Sequence, residues 1–346
     1  MHNRTIRNST INRPCKWGRF ILAFASVVAL GMHLPDIPTN DPPQPPLKRV
    51  EGRIYEVRVA VQNKSRSLGW PLILQSNWCQ VAPDSISAIN QTSEQIKITA
   101  TEVKDDPRQW RLRFQDKNYT IDFQALAYSS ELDNTVANSI SWPESWDKLH
   151  EYYLEPSRFI ESDDSIFNKA VADNGDPKSV SIHVAAKVLI RYCLLKIGSD
   201  GQYTKTKEGT STGLDLKGAR SAVKNGGGSA TDLVCVCVAT LRAAGIPARP
   251  VVGITNADKI GNEDIEPTYL VWGEYALPGA GWVPFMPERM RGTVDNLPRT
   301  DVWQGLGSLP RLNRRIPLSY NFNCYDIDRS NQSLQMFFES SPSQYQ

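Results

Sequence analysis

Apolar residues are densest at positions 233–241 of this 346-residue chain, where nearly every side chain is hydrophobic. A segment that is apolar on all sides is typical of an element buried in a core. The flanking residues favour a helix: Ser229 suits the N-cap, Gly245 suits the C′ position and Pro247 prevents continuation. The alternating run at 234–238 leaves a buried strand as the alternative interpretation.

The pattern before this helix divides the chain into two parts. Residues 50–130 contain short runs in which apolar and polar positions alternate, which predicts strands and a small β-sandwich-like domain. Residues 139–200 favour helices, with large aromatic residues supplying apolar surface. The polar Gly-, Ser- and Thr-rich stretch at 198–214 is predicted to be a long surface loop.

The pattern after the helix predicts a hairpin. Two apolar runs flank the turn signal Pro-Gly-Ala-Gly at residues 278–281. With the turn centred on Pro278 and no bulge, Leu270 and Met286 are expected to lie directly opposite each other. Residues 326–346 are predicted to form a loosely ordered tail.

The N-terminal segment has the pattern of an export signal. Residues 1–32 join a basic stretch to an apolar run at 20–32, which is shorter than the roughly 20 residues that a membrane span needs. We therefore predict a signal peptide or N-terminal anchor, followed by a proline-rich spacer at 33–49. The expected location is extracytoplasmic, in the periplasm or cell envelope, with membrane contact only through this segment.

Charge and cysteine content exclude several classes of function. A net charge of +2 gives no electrostatic reason to expect nucleic-acid binding. The chain has six cysteines, and loss of Cys15 with a signal peptide would leave an odd number, which argues against a disulfide framework. The spacing of Cys235 and Cys237 is a weak metal motif without a second pair. We expect no metal and no cofactor; the sequence does not indicate an oligomeric state.

Two stretches carry a resemblance to a known family. Residues 228–232, GSATD, precede the apolar helix ending in LRAAGIPAR, and residues 269–287 read YLVWGEYALPGAGWVPFMP. Both resemble the transglutaminase-like superfamily, a papain-like group of cysteine enzymes. The resemblance implies an α+β domain over residues 139–325, with a central buried helix packed on an antiparallel sheet. It also implies a cysteine nucleophile at the helix N-terminus, a histidine on a following strand and an aspartate on the next.

The three reacting residues that the resemblance implies are replaced in this chain. Ala230 stands at the nucleophile position, Leu270 at the histidine position and Met286 at the aspartate position. Replacing both partners of a buried hydrogen bond by apolar groups can be nearly neutral, whereas losing one costs about 1–3 kcal/mol. The surrounding frame is retained, as groove or scaffold residues Ser229, Asp232, Trp272, Glu274 and Trp282.

The sequence therefore predicts a catalytically inactive module that binds a peptide or protein in the cell envelope. The alternative is an active cysteine-type peptidase or acyltransferase with a relocated nucleophile. Its candidate residues are Cys235, Cys237 or Ser229, with His150 or His183 as the base. Buried cysteines usually behave as small hydrophobes with raised pKa values, Ser229 suffices as a helix cap, and His183 is expected on the surface. A third interpretation is a purely structural module whose groove is filled by Leu270 and Met286.

Overall fold

The computed structural model describes residues 44–62, 70–103, 106–114, 116, 118–207, 210–255, 268–297, 302–322 and 331–338. The predicted signal or anchor segment and most of the spacer lie outside the described residues. Everything described belongs to one compact unit that begins at Ile37. Within these ranges, every helix is too short or too polar to cross a membrane.

The first part of the chain consists of strands, as the alternating pattern predicts. They are β1 (Leu47–Gln62), β2 (Trp70–Ile73), β3 (Cys79–Val81), β4 (Ser87–Asn90), β5 (Ile98–Val103), β6 (Asp106–Phe114) and β7 (Asn118–Leu132). The long strands β1 and β7 pair antiparallel, and β3 and β4 also pair with β7. Strands β2, β6 and β5 form a second antiparallel sheet. The two sheets occupy the range that was predicted as a β-sandwich-like domain.

The helices and strands of the second part alternate along the chain. They are α1 (Asn134–Ala137), α2 (Lys148–Tyr152), α3 (Ser165–Ala172), α4 (Ile182–Lys196), β8 (Gly198–Ser199), β9 (Thr204–Lys207), β10 (Thr210–Leu214), α5 (Ala219–Asn225), β11 (Gly227–Gly228), α6 (Ala230–Ala243), β12 (Ala248–Thr255), β13 (Thr268–Leu277), β14 (Gly281–Phe285), α7 (Pro287–Met290) and β15 (Arg315–Ser319). The predicted surface loop at 198–214 is wrong in part, because it contains β8 and the antiparallel pair β9–β10.

The described part of the predicted tail is a strand rather than loosely ordered. Residues Asn331–Phe338 form strand β16, which pairs antiparallel with β1 at the edge of the first sheet. The backbone hydrogen bonds of an extended segment compensate there for a composition that lacks a strong strand pattern.

The central helix is confirmed, and so is the α+β class. Strands β14, β13, β12 and β15 form an antiparallel sheet in that order, and α6 contacts β12 and β13. Helices α3, α4 and α5 also pack on α6. Every residue from Ala230 to Arg242 is buried, so the helix has no solvent-facing side. This explains why its sequence is apolar all round.

Local signals fix both ends of α6. The Ser229 hydroxyl accepts a hydrogen bond from the Asp232 N–H at 3.0 Å, and the Asp232 carboxylate accepts one from the Ser229 N–H at 3.1 Å, which completes a capping box. Gly245 has a φ of +80°, the left-handed conformation that glycine adopts without steric cost after a helix end.

The register of the hairpin β13–β14 differs from the prediction by two residues. Leu277 pairs with Gly281 and Gly273 pairs with Phe285, so the turn is centred on Gly279 rather than Pro278. Strand β14 ends at Phe285, and Met286 follows it as the N-cap of α7. Leu270 and Met286 are therefore not directly opposite each other. A positive φ of 72° at Gly279 allows the turn to close one residue later.

Candidate functional site

The position where the sequence predicts the nucleophile is closed by the chain itself. Ala230 is the first residue of α6 and is fully buried. Its N–H donates to the carbonyl oxygen of Gln202 at 2.9 Å, and the Thr231 hydroxyl donates to the carbonyl oxygen of Tyr203 at 3.0 Å. Backbone N–H groups at a helix N-terminus are the usual donors for an anion or a developing oxyanion. Here the Ala230 donor is engaged by Gln202.

Asp232 acts as a structural acceptor in the first turn. Its Oδ1 accepts hydrogen bonds from the N–H groups of Lys217 and Gly218 at 2.7 and 2.8 Å, and its Oδ2 accepts the bond from Ser229. A Cβ atom on Gly228 would lie 2.6 Å from Oδ2, so glycine is required at this close approach. The carboxylate is fully buried and committed to backbone donors.

The hydroxyl proton of Ser229, the candidate hydroxyl nucleophile, is already donated in a hydrogen bond to a backbone carbonyl oxygen. Its Oγ donates to the carbonyl oxygen of Asp215 at 2.5 Å while accepting the capping bond from Asp232. A carbonyl oxygen cannot act as a general base, because it does not take up the proton at neutral pH. The contacts of Ser229 are those of a helix cap.

The histidine and aspartate positions are also buried. Leu270 is 4% exposed, Met286 is 3% exposed, and the Met286 N–H donates to the carbonyl oxygen of Gly305 at 2.7 Å. Trp272 lies on the same face of β13 as Leu270, because alternate residues of a strand share a face. Its ring covers Gly253, where an added Cβ atom would lie 2.5 Å from a ring carbon. Trp272 is thus a core residue of the sheet, 1% exposed.

Glu274 and Trp282 hold a buried arginine. Nε of Arg249 donates a hydrogen bond to Oε2 of Glu274 at 2.9 Å, and Nη2 lies 2.8 Å from the same oxygen in an ion pair. The guanidinium lies over the Trp282 ring at 3.9 Å and over the Tyr320 ring at 3.5 Å, measured to the centroids. The planar, weakly hydrated guanidinium is suited to such stacking. This arrangement connects β12, β13 and β14 and the end of β15.

The two candidate bases lie in different environments. His150, on α2, bonds Asp147 at 2.8 Å and stacks on Trp282 with ring centroids 5.2 Å apart. His183, on α4, is fully buried, so the expectation that it lies on the surface is wrong. Its Nδ1 bonds the Tyr275 hydroxyl, and its Nε2 lies 3.2 Å from Oδ1 of Asn134. Burial, with the nearby charge of Lys187, lowers the pKa of His183 to about 3.

The cysteines have the properties of core residues. Among the residues that the structure describes, Cys79, Cys193, Cys235 and Cys237 are all buried and free of disulfides. Burial raises the pKa of Cys235 and of Cys237 well above the usual thiol value, which keeps both as thiols. In the same described ranges, His, Cys, Asp and Glu side chains form no cluster of three that could hold a metal ion.

A surface cavity lies on the first sheet rather than beside α6. It has a volume of about 370 Å³ and is lined by Glu56, Val57, Arg58, Ser85, Asp122, Phe123 and Gln124. Two of its charged residues pair with each other, since Arg58 bonds both carboxylate oxygens of Asp122. The sequence offered no signal for this cavity.

Comparison with known families defines the class of the second part of the chain. Residues 171–287 match the transglutaminase-like superfamily, and they contain α6, the sheet strands β12 to β14 and the three predicted triad positions. This part of the chain is a transglutaminase-like domain.

One solved structure shares the fold of this chain, and a second shows a weaker likeness. A candidate cysteine protease from Cytophaga hutchinsonii is 15% identical, covers 87% of this chain and 96% of its own, and superposes with a TM-score of 0.57. The periplasmic domain of TgpA from Pseudomonas aeruginosa is 13% identical over 70% of this chain and 93% of its own, with a TM-score of 0.32. No curated protein matches the chain significantly.

Proposed function

We propose that this protein is a non-catalytic transglutaminase-like protein that binds a peptide or protein partner in the cell envelope. One observation carries the proposal. Ala230, Leu270 and Met286 stand where the resemblance in sequence expects the nucleophile, base and orienting residue, and all three are buried. The support for an envelope location is the basic and apolar pattern of residues 1–32.

Loss of catalysis has a direct chemical reason. Acyl transfer by this class needs a thiolate, a base within hydrogen-bond reach and a donor for the developing oxyanion. A methyl group at Ala230 cannot attack, and the Ala230 N–H is bonded to Gln202. The remaining cysteines in the described ranges are buried thiols inside the fold.

The burial of Trp272 also limits where a partner can bind. Trp272 is 1% exposed, so a ligand that rests on the described surface does not touch it. The partner has to bind at the rim instead, where Gln202 and Lys217 are exposed beside the first turn of α6. Both residues contact that turn through their backbones, so their side chains remain available.

The catalytic part is tested with the full-length protein. It is incubated with peptide and amine donor substrates, with and without a thiol-directed covalent probe. We expect no turnover, and no labelling of Cys79, Cys193, Cys235 or Cys237 in the folded protein, because all four are buried. Turnover that the probe abolishes would sink the non-catalytic assignment and restore the relocated-nucleophile alternative.

The binding part is tested by pull-down from the native envelope. We expect Lys217→Glu to reduce recovery of the partner several-fold, whereas Lys224→Glu, the same charge change on an exposed residue of α5, leaves recovery unchanged. Partners recovered equally by both variants would exclude the rim. The second candidate is a purely structural module, which the buried Leu270 and Met286 favour; it would recover no specific partner, even with the unchanged protein.

A further inference from the structure

A buried polar cluster lies outside the triad positions, and the class of the domain does not account for it. It consists of Asn134 on α1, His183 and Lys187 on α4, and Tyr275 on β13. His183, Lys187 and Tyr275 are fully buried, and Asn134 is 7% exposed. Lysine and histidine are rarely buried to this degree without partners. We call these four residues the Asn134 cluster.

The direction of each hydrogen bond in the Asn134 cluster follows from chemistry. The Leu132 carbonyl oxygen, 3.3 Å away, can only accept, so it faces the amide nitrogen of Asn134. Oδ1 of Asn134 therefore faces His183 at 3.2 Å and Lys187 at 3.4 Å. His183 must carry its proton on Nε2, which leaves Nδ1 to accept from the Tyr275 hydroxyl.

Lys187 adds a charge to this chain of bonds. Its Nζ lies 5.4 Å from the centroid of the Trp303 ring, close enough for a cation–π contact. The charge opposes protonation of His183, whose burial acts in the same direction. The other titratable group that faces His183 is Tyr275, whose pKa is raised by burial, so it stays a neutral donor.

The Asn134 cluster sits where the first sheet continues into the transglutaminase-like domain. Asn134 begins α1, two residues after the end of β7. The last residues of β7 are themselves bonded to the second part of the chain: Ser130 and Leu309 exchange backbone hydrogen bonds, and the Leu132 N–H donates to Oγ of Ser308 at 2.9 Å.

We propose that the Asn134 cluster is a conformational latch, which fixes the exit of β7 to α4 and β13 and so locks the first sheet onto the transglutaminase-like domain. Asn134 is the central residue of the cluster. Its Oδ1 accepts from His183 and Lys187 on α4, and its Nδ2 donates to the Leu132 carbonyl oxygen at the end of β7. A buried hydrogen-bonded network of this kind specifies one arrangement more strictly than apolar packing does. Release of the latch frees the junction without unfolding either sheet.

Hydrogen exchange of the full-length protein tests the latch. Asn134→Ala should speed exchange at the amides of Ser130, Leu132 and Leu309 at least about tenfold, while the amides of β12 remain protected. The matched control is Asn174→Ala, which removes an amide bond to the Ala170 carbonyl in α3 and should leave the junction unchanged. Unchanged junction exchange in Asn134→Ala, or uniformly faster exchange across the protein, overturns the proposal.

Nitrogen NMR of the unmodified protein provides a readout that does not depend on a variant folding. The chain has only four histidines, and a His183→Gln spectrum assigns the signal. We expect His183 to remain neutral with its proton on Nε2 from pH 5 to 8. A proton on Nδ1, or titration within this range, would show that the bond to Asn134 is not made as described and would overturn the latch.

Discussion

Two buried regions of this protein have opposite chemistry. At the three positions where the sequence predicts a triad, the side chains of Ala230, Leu270 and Met286 are apolar and buried. The Asn134 cluster and the Arg249–Glu274 pair bury charged and polar groups nearby. A buried polar group is costly unless its hydrogen bonds are made. The comparison shows that apolar side chains fill the positions where no reaction takes place in the proposed function. Buried polar groups are found where their hydrogen bonds connect separate helices and strands.

The largest expected effect concerns His183 and acid. Its pKa is lowered in the folded protein from 6.5 to about 3, so the folded state holds it neutral. The stabilisation is complete above about pH 6.5 and is lost as the pH falls toward 3, by at most about 5 kcal/mol in all. Denaturant unfolding between pH 7 and 3 should show a much flatter profile for His183→Gln. Parallel profiles would contradict the buried neutral state.

The next effect concerns the Arg249–Glu274 pair. Arg249→Met leaves the Glu274 carboxylate buried without its partner and should lower the free energy of unfolding by about 3–5 kcal/mol. The double variant Arg249→Met with Glu274→Leu should lose less than the single variant. A double-mutant cycle measured by urea unfolding checks this order. A larger loss in the double variant would mean that the Glu274 carboxylate stabilises the fold even without Arg249.

A smaller effect is expected where the triad frame is packed. A Cβ atom on Gly273 would lie 2.1 Å from the Phe285 ring, so Gly273→Ala should cost about 1–3 kcal/mol through overpacking. Gly292→Ala is the matched control, because an added Cβ atom there meets nothing within 4 Å. Thermal unfolding of both variants gives the comparison. Equal melting temperatures would indicate that the Phe285 ring shifts at little cost to make room for the added methyl group.

The smallest expected effect is on activity. Ala230→Cys should produce no measurable turnover, because a nucleophile acts only as a unit with its base and orienting group. Transfer assays with peptide and amine donors measure it. Activity from this single change would reveal a base within reach of residue 230. The predicted triad positions would then still support catalysis.

Part of this arrangement could be predicted from the sequence. The apolar run and its capping residues specify α6, since Ser229, Asp232 and Gly245 act through local geometry. The hairpin register could not be derived, because Gly279 and Pro278 offer competing turn centres and only the pairing in three dimensions decides between them. The burial of His183 was hidden for a similar reason: its partners Asn134 and Tyr275 are 49 and 92 residues away along the chain.

Strand β16 has a practical consequence for handling the protein. It covers the outer edge of β1 from Tyr55 to Gln62, so a truncation before Asn331 would leave eight residues of that edge with unpaired backbone groups. Open edges of this length recruit strands from other molecules. A shortened protein should therefore form sheet-to-sheet oligomers, visible by light scattering at concentrations where the intact chain stays dispersed.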